Sequence, residues 1–412
     1  MTGVSDVVRE SALAGRVVLW EESARDGAQA KTLMSADFRV RLARETGAVF
    51  GTDGPRHVVF AAGFPAVCAE EYEAVRRVAA EAEGAVSVAA VCRGSRRDVE
   101  QAVASVRGSG HARVMVVVPA SEPMARVMLH RTAAEALRAA ADLVKLARDA
   151  DDSVAVDVCL ADASRADRSL MGHHARALTE TGAGVVLLAD TVGVQLPRAC
   201  RDMFGAVRAA AGADVVLASH LHNDLGLGLA NTLQALDAGV RVVSASWLGI
   251  AERAGMVATE QLLFLLARHA RELLGAGPGP WWTAPDLTRL PGITRRVAAE
   301  TGVPLSVTTP IVGTGVGTIS TGTPFVHPGL FQPYDPAEVL GIEPEVLLTH
   351  LASARVVTAV AARLGHRLDP GQARAAMAWA KSRAFRTGRA VIDDTTFAAY
   401  LDGLAHTPGS SP

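Results

Sequence analysis

Eight short apolar runs, each followed by a turn and a longer amphipathic stretch, constrain this chain more than any other feature. The runs are Arg16–Trp20, His57–Ala61, Val86–Val91, Arg113–Val118, Val154–Leu160, Gly184–Ala189, Val215–His220 and Arg241–Ser246. Each is close to continuously apolar, the pattern of parallel strands buried on both faces. The segments between them, such as Thr132–Arg148 and Thr259–Leu274, carry Ala, Leu, Glu and Arg at helical spacing. Eight such units within about 260 residues match the count and size of a (β/α)8 barrel. An open doubly wound sheet would carry a glycine-rich phosphate turn after its first strand. Here the first run leads into Glu21-Glu22-Ser23-Ala24-Arg25-Asp26-Gly27 instead. The expected fold is α/β: a TIM barrel followed by a connector and a small C-terminal helical subdomain. An aromatic content of only 4% suits a barrel core of small branched side chains.

The repeating pattern stops at Gly275-Ala276-Gly277-Pro278-Gly279-Pro280, a punctuation that marks a domain exit. The expected domains are a catalytic barrel over residues 16–275, a Gly/Pro/Thr-rich connector and lid over 276–330, and a helical subdomain over 331–405. Apolar periodicity runs through Pro344–Leu364, Gly371–Phe385 and Asp393–Leu404, and His406–Pro412 reads as a frayed tail. The glycines of Gly313-Thr314-Gly315-Val316-Gly317 suggest a phosphate cradle, but a P-loop lysine and a preceding strand are missing, so a flexible lid is expected. Trp281-Trp282 reads as a packing anchor at the domain junction.

Charge and cysteine usage exclude several classes. With 41 basic against 43 acidic residues, a net charge of −2, the chain lacks the basic excess of a nucleic-acid binder. Cys68, Cys92, Cys159 and Cys200 are scattered without a CxxC pair, which argues against thiolate metal sites and disulfides. Buried, inert thiols are expected at Cys92 and Cys159. No long uncharged apolar stretch offers a membrane span or a secretory signal, so a cytoplasmic location is expected.

The strongest chemical signal is His220-Leu221-His222 at the end of the seventh run. Residues i and i+2 of a strand share a face, so both imidazoles can aim into the barrel mouth, where barrel enzymes hold their chemistry. Asp26 follows the first strand, which a closed barrel brings near the seventh. Two imidazoles and a carboxylate make a divalent-metal site with open positions. Two histidines bonded to solvent and loop backbone are the alternative.

The surrounding motifs are Arg25-Asp26-Gly27-Ala28-Gln29, Gly63-Phe64-Pro65, Asp190-Thr191-Val192-Gly193, the run from His220 to Asn231, and Gly249-Ile-Ala-Glu-Arg-Ala-Gly255. Together they resemble the DRE-TIM metallolyase superfamily, and within it the 2-isopropylmalate synthase and homocitrate synthase branch of HMGL-like proteins. The resemblance spans roughly residues 16–400. It implies a divalent metal (Mg, Mn or Zn) on Asp26, His220 and His222, acyl-CoA and 2-oxo acid substrates, and a homodimer in which the C-terminal subdomain reaches its partner. Arg25 would polarise the keto oxygen, or else form a salt bridge to Glu21 or Glu22. Thr191 would contact the oxo-acid carboxylate, or else cap a turn. Gln29 and Ser121 are further substrate-binding candidates. Asn223 and Asp224 are expected to orient the histidines or loop, and Glu252–Arg253 to form an ion pair in the eighth βα-loop. Many 2-isopropylmalate synthases carry an additional C-terminal regulatory domain, and none is expected here.

The departures from the family pattern cluster on the catalytic face. The Glu usual after the fifth strand is Ala161, and the usual Glu-x-Gly-x-Pro reads Ala61-Ala62-Gly63-Phe64-Pro65. Met124 stands near the place of a common His, and Met256 follows Glu-Arg-Ala-Gly where Asn is usual. The connector reads Thr321-Gly322-Thr323-Pro324 in place of a His-bearing motif, with His327 nearby. The oxo-acid half of the site is retained and the acid–base half is altered, leaving Asp162, His327 and Glu252 as candidates for proton transfer. A bulkier or more apolar acceptor is one reading of the less polar wall; a changed reaction is another. The expected function is a metal-dependent acyltransferase that condenses acetyl-CoA with a 2-oxo acid. A metal-dependent C–C lyase or aldolase is the first alternative, although Leu248–Gly255 lacks the cysteine loop of those enzymes. A catalytically degenerate metal-binding homologue is the second.

Overall fold

The computed structural model describes residues 6–277 and 279–405. Two compact units divide between Pro304 and Leu305. In the first, eight strands close into an all-parallel barrel in sequence order: β1 (Val18–Glu21), β2 (Val58–Gly63), β3 (Ser87–Arg93), β4 (Ala112–Pro119), β5 (Ala155–Ala161), β6 (Ala183–Asp190), β7 (Leu217–Leu221) and β8 (Val242–Ala245). The barrel closes where Val18–Glu21 pairs with Val242–Ala245. Each strand overlaps one of the eight apolar runs, so the TIM-barrel expectation holds.

Inward-facing residues alternate along the strands and build the core in tiers. Val18 and Trp20 of β1, Val59 and Ala61 of β2, Met115 of β4, Cys159 of β5 and Leu187 of β6 belong to this interior cluster. On β4 and β5 the series begins lower, with Arg113 and Asp157. On β7 it runs through Val216 and Ala218 to His220 and His222.

A helix that the sequence reading did not anticipate, Val7–Leu13, closes the N-terminal floor. Asp6 caps it by accepting the amides of Val8 and Arg9 at 3.2 and 3.1 Å. Val8 and Ala12 join the interior cluster. Arg9 donates to the carbonyls of Gly184 and Asp214, tying the helix to the ends of the sixth and seventh units. Also on the floor side, Trp281 packs against Phe50 with ring centroids 5.0 Å apart, and Arg16 lies 4.5 Å over the Trp282 ring. The two tryptophans are a packing anchor, as expected, and they anchor the chain to the barrel floor.

Residues 281–304 belong to the barrel unit, although the sequence reading began the connector at 276. The helix Leu290–Thr301 places Glu300 so that it accepts from the Ser35 amide and hydroxyl at 3.0 and 2.8 Å. Of the domain-exit punctuation, Pro278 lies outside the described residues, as does the tail His406–Pro412.

The second unit pairs Thr318–Ile319 in parallel with Glu345–Val346 and packs the helices Ala354–Arg363, Pro370–Thr387 and Asp394–Ala405. Its core includes Val356, Val360, Phe397 and Leu401, and Trp379 stacks on Tyr400 at 4.1 Å. Helical periodicity from Pro344 is not realised before Ala354. Strand pairing claims Glu345–Val346, and Ser353 supplies the first capping hydroxyl, accepting from the Val356 amide. The loop at Gly313–Gly317 is no phosphate cradle. The amides of Gly313, Thr314, Gly315 and Val316 already donate to Thr309, Ser306, Val307 and Gly313. A Cβ at Gly313 or Gly315 would run into neighbouring carbonyls. Its glycines serve close backbone packing within the unit.

Candidate active site

At the end of β1 the alternation separates two adjacent glutamates. Glu21 turns away from the barrel interior. It accepts the hydroxyl of Ser23 and, at 3.2 Å, the Trp247 amide. Burial pushes its carboxyl up to about 8, so it is protonated at neutral pH. Glu22 points inward, on the face of Val18 and Trp20. Its carboxylate stands 3.4 Å from Nδ1 of His220 and 3.8 Å from Arg25.

Asp26 is 1% exposed and gathers the site. Its Oδ2 lies 2.9 Å from Nε2 of His220, 3.6 Å from Nε2 of His222 and 3.2 Å from the Arg25 guanidinium. Its Oδ1 accepts the Glu252 amide at 3.1 Å. Burial alone would raise the Asp26 carboxyl, but the His220 hydrogen bond and the Arg25 charge hold it well below the usual carboxylate range. Burial likewise opposes charge on His220, yet hydrogen bonds to Asp26 and Glu22 push it up to about 9. Burial and the neighbouring His220 push His222 down to about 4. His220 therefore holds a proton that a bound cation would displace.

One ligand atom from each of Asp26, His220 and His222 lies within 4.8 Å of the others. A divalent ion about 2.0–2.2 Å from each of three ligand atoms requires such convergence. The donor set fits a borderline or hard divalent cation. Glu22 on the far nitrogen of His220 is the carboxylate partner that such a ligand commonly has. The three residues can hold a metal, and the arrangement leaves one side open to a cavity of about 290 Å³.

Of the residues expected in the site, Arg25, Asp26, Gln29, Thr191, His220, His222 and Glu252 line this cavity. Arg25 also makes the ion pair weighed as its alternative, to Glu22 rather than Glu21, and a second one to Asp26. Those carboxylates outweigh its burial and keep it cationic. Ser121 and Asp162 are brought together behind the cavity. Asp162 is fully buried at a positive φ of 62°, where it accepts from the Ser121 hydroxyl and, at 2.8 Å, from Arg165. Its own amide donates to the Thr191 hydroxyl at 2.8 Å. This carboxylate is engaged by Ser121 and Arg165 and does not line the cavity. Ser121 caps the helix Glu122–Leu129 and does not line the cavity. His327 belongs to the second unit, and every cavity-lining residue comes from the first. Met256 is also absent from the lining: its backbone bridges to His222, and its side chain is buried.

The eighth βα-loop sets the rim. Gly255 has φ 85°, and a Cβ there would meet the Gly249 carbonyl. That close approach closes the loop and brings the Glu252 amide to Asp26. Arg253 donates to Asp224 at 2.9 and 3.0 Å and to the Thr191 carbonyl at 2.6 Å, joining the loops after β6, β7 and β8. The expected Glu252–Arg253 ion pair is present at 3.2 Å. Asn223 and Asp224 hold the loop, the former by accepting the Gly228 amide at 2.8 Å. Cys159 lines the cavity with its thiol pushed up to about 12 by burial, and burial raises Cys92 as well; both are buried, as expected. The sequence reading missed Glu22 as the partner of His220. Its signal was two-residue alternation from Trp20.

Comparison with known proteins agrees with this architecture. The chain is 31% identical over 300 residues to a 2-isopropylmalate synthase of Caulobacter sp., covering 72% of this chain and 54% of that protein. It thus spans about half the length of the first relatives it matches. It is 28% identical over 389 residues to 2-isopropylmalate synthase 1 of Caldanaerobacter subterraneus, covering 93% and 94% of the two chains. Against homocitrate synthase AksA of Methanopyrus kandleri it is 29% identical over 367 residues, covering 88% and 86%. The HMG-CoA lyase of Brucella melitensis shares the fold with a TM-score of 0.56 at 22% identity, over 70% of this chain and 99% of that one. The profile of the HMGL-like family matches residues 16–297, the whole barrel including Asp26, His220 and His222, and the chain belongs to that family.

Proposed function

We propose that this protein is a divalent-metal-dependent acyltransferase that joins acetyl-CoA to a 2-oxo acid by Claisen-type condensation. The observation that carries this reading is the convergence of Asp26, His220 and His222 beside the Arg25 guanidinium on one wall of a cavity. The names of the synthase relatives support it. In the reaction, the α-carbon of the thioester forms a bond to the keto carbon. Water then cleaves the thioester, giving a 2-hydroxy diacid and free CoA thiol.

Asp26, His220 and His222 would hold the ion, Mg, Mn or Zn, which supplies Lewis acidity for the keto group when bound. Arg25, kept cationic by Glu22 and Asp26, directs N–H donors at the oxygen that becomes an alkoxide. Glu22 orients His220. Gln29 and the Thr191 hydroxyl, itself held by the Asp162 amide, bind the substrate carboxylate. Glu252, with its side chain 44% exposed on the cavity wall, accepts the proton from the donor's α-carbon. His327 is the further proton-transfer candidate. Asp162 acts as a positioning residue through Thr191. This reading includes a homodimer in the cytoplasm and no nucleic-acid partner. Among the described residues, no helix is long and apolar enough to cross a membrane.

Free thiol released from acetyl-CoA by metal-loaded protein with a panel of 2-oxo acids tests the reading. Release that depends on both substrates is expected, and no release with any oxo acid would sink it. The cysteine-free loop Leu248–Gly255 speaks against the lyase alternative. Solvent deuterium exchange into an oxo acid without CoA would reverse that ranking.

A further inference from the structure

The eighth βα-loop, between β8 and the helix Thr259–Leu274, stores backbone strain beside the triad. Leu248 and Arg253 both have φ 57°, and Gly249 and Gly255 are left-handed as well. A leucine in that region crowds its Cβ against the backbone and stays there only when its surroundings hold it. Arg253 is held by its side-chain bonds to Asp224 and the Thr191 carbonyl. Leu248 has no polar side chain to hold it. Its amide is held instead, donating to Oε2 of Glu260 at 3.0 Å. The preceding amide, of Trp247, donates to Ser23 Oγ at 2.8 Å and to Glu21 at 3.2 Å. The turn is thus gripped from the end of β1 on one side and from the helix on the other.

Glu260 stands in the first turn of its helix, where a carboxylate can serve the helix dipole from solvent. Here it is 0% exposed, and its other oxygen, Oε1, has no hydrogen-bond partner. Burying a carboxyl for one loop amide is costly if the helix dipole is all it serves. What the bond secures lies farther along the loop. The Gly249 carbonyl accepts the Met256 amide at 3.0 Å, and the Glu252 carbonyl accepts the Gly255 amide at 3.1 Å. The conformation of the turn at Leu248 therefore sets how the loop closes. Closure places the Glu252 amide on Oδ1 of Asp26 at 3.1 Å. With Oδ1 so occupied, Oδ2 is the oxygen turned toward His220 and His222.

We propose that Glu260 is a positioning residue for Asp26. By holding Leu248 left-handed it keeps the loop closed, and the Glu252 amide then fixes which carboxylate oxygen faces the two histidines. The inference rests on the reading that Asp26, His220 and His222 hold a metal.

Hydrogen exchange at the Glu252 amide of the metal-free protein, with calorimetric titration of Mn alongside, tests this. Glu260→Met keeps side-chain volume and removes the acceptor. It should speed exchange at Glu252, eight residues away, about tenfold or more. It should also weaken Mn binding about 10–100-fold. Glu260→Gln keeps an acceptor oxygen and should stay within about fivefold of the parent in both measurements. Adding Leu248→Gly to Glu260→Met should recover most of both losses, because glycine is left-handed without strain. A merely structural glutamate would lower the thermal midpoint of Glu260→Met and leave Glu252 exchange and Mn affinity unmoved, which overturns the proposal. So does Glu260→Gln failing as Glu260→Met does, or Leu248→Gly recovering nothing. Should Glu260→Met not fold, the double variant decides. Folding with parental exchange at Glu252 upholds the proposal, and failure to fold shows that Glu260 serves the barrel as a whole and overturns it. A parent that binds no Mn defeats the metal reading and leaves the exchange result to judge Glu260. Unchanged exchange beside tight Mn binding defeats this inference alone.

Discussion

The two ends of the barrel each bury a cluster of charges, and the clusters behave oppositely. At the floor, Arg113 of β4 donates to Asp157 of β5 at 2.7 and 2.9 Å and to Asp6 of the closing helix at 2.5 and 3.2 Å. Burial works against Arg113, but the two carboxylates raise it and keep it charged. None of these three side chains has an unpartnered buried atom. At the mouth, Asp26 faces three cationic or protonatable groups, while Glu22 Oε2 and His222 Nδ1 are buried without a hydrogen-bond partner. The floor is a closed set of pairs. The mouth set keeps two buried atoms unpartnered. The same strands serve both, since β4 and β5 carry Arg113 and Asp157 below and the apolar cavity wall above. Cavities adjoin both clusters, about 270 Å³ against Asp6 and Arg113 and about 290 Å³ at the mouth, so what distinguishes the two is how completely their charges are paired.

The largest effect expected from breaking this contrast is at the floor. Arg113→Met strands the buried carboxylates of Asp157 and Asp6 and should cost about 3–5 kcal/mol of folding stability, read by urea denaturation. A loss below about 1 kcal/mol would show that the floor pairing contributes little net stability.

At the mouth, Asp26→Asn should lower thiol release by about 10²–10³-fold. In the unsubstituted protein, added Mn should raise the thermal midpoint in a concentration-dependent way, and in Asp26→Asn it should not. A midpoint shift that survives the substitution would remove Asp26 from the ligand set. Chelation should abolish turnover and leave the floor, and so the fold, in place.

Glu252→Gln sharpens the division within the mouth. It should reduce kcat about 10²-fold and keep the Mn-induced midpoint shift, because Glu252 lies beside the metal triad but reaches Asp26 only through its backbone amide. Unchanged kcat would transfer the proton-transfer role to His327.

The smallest expected effect is a pH dependence located on the floor side. His57, stacked on Phe50 at 4.6 Å, is pushed by burial from its ordinary value down to about 4. A depressed histidine binds fewer protons in the fold than in the unfolded chain. Its contribution is therefore present above about pH 6.5 and is lost as pH falls toward 4. Denaturation midpoints of His57→Gln should fall less steeply over that window than those of the parent, and parallel curves would count against it.

Much of the architecture was legible because it is periodic. Eight apolar runs announced eight parallel strands, and the i, i+2 spacing of His220 and His222 placed both on one face. The closing helix Val7–Leu13 was not legible, because seven residues carry too little periodicity to announce a helix. Asp162 reads as a free carboxylate in the chain. Its engagement by Ser121 and Arg165 depends on a left-handed turn and on the neighbouring fourth strand.

The sequence by itself determined the barrel, the order of its strands and the identity of the triad, since side-chain alternation follows from local covalent geometry. Tertiary structure alone decided which of Glu21 and Glu22 lies beside His220, which carboxylates are already paired, and that apolar side chains share a cavity with Asp26, His220 and His222. Those outcomes depend on closure of β1 against β8 and on the helix after β4. They join residues more than 200 positions apart, as between Glu252 and Asp26. Pairing and desolvation across such distances set what each charged group can do.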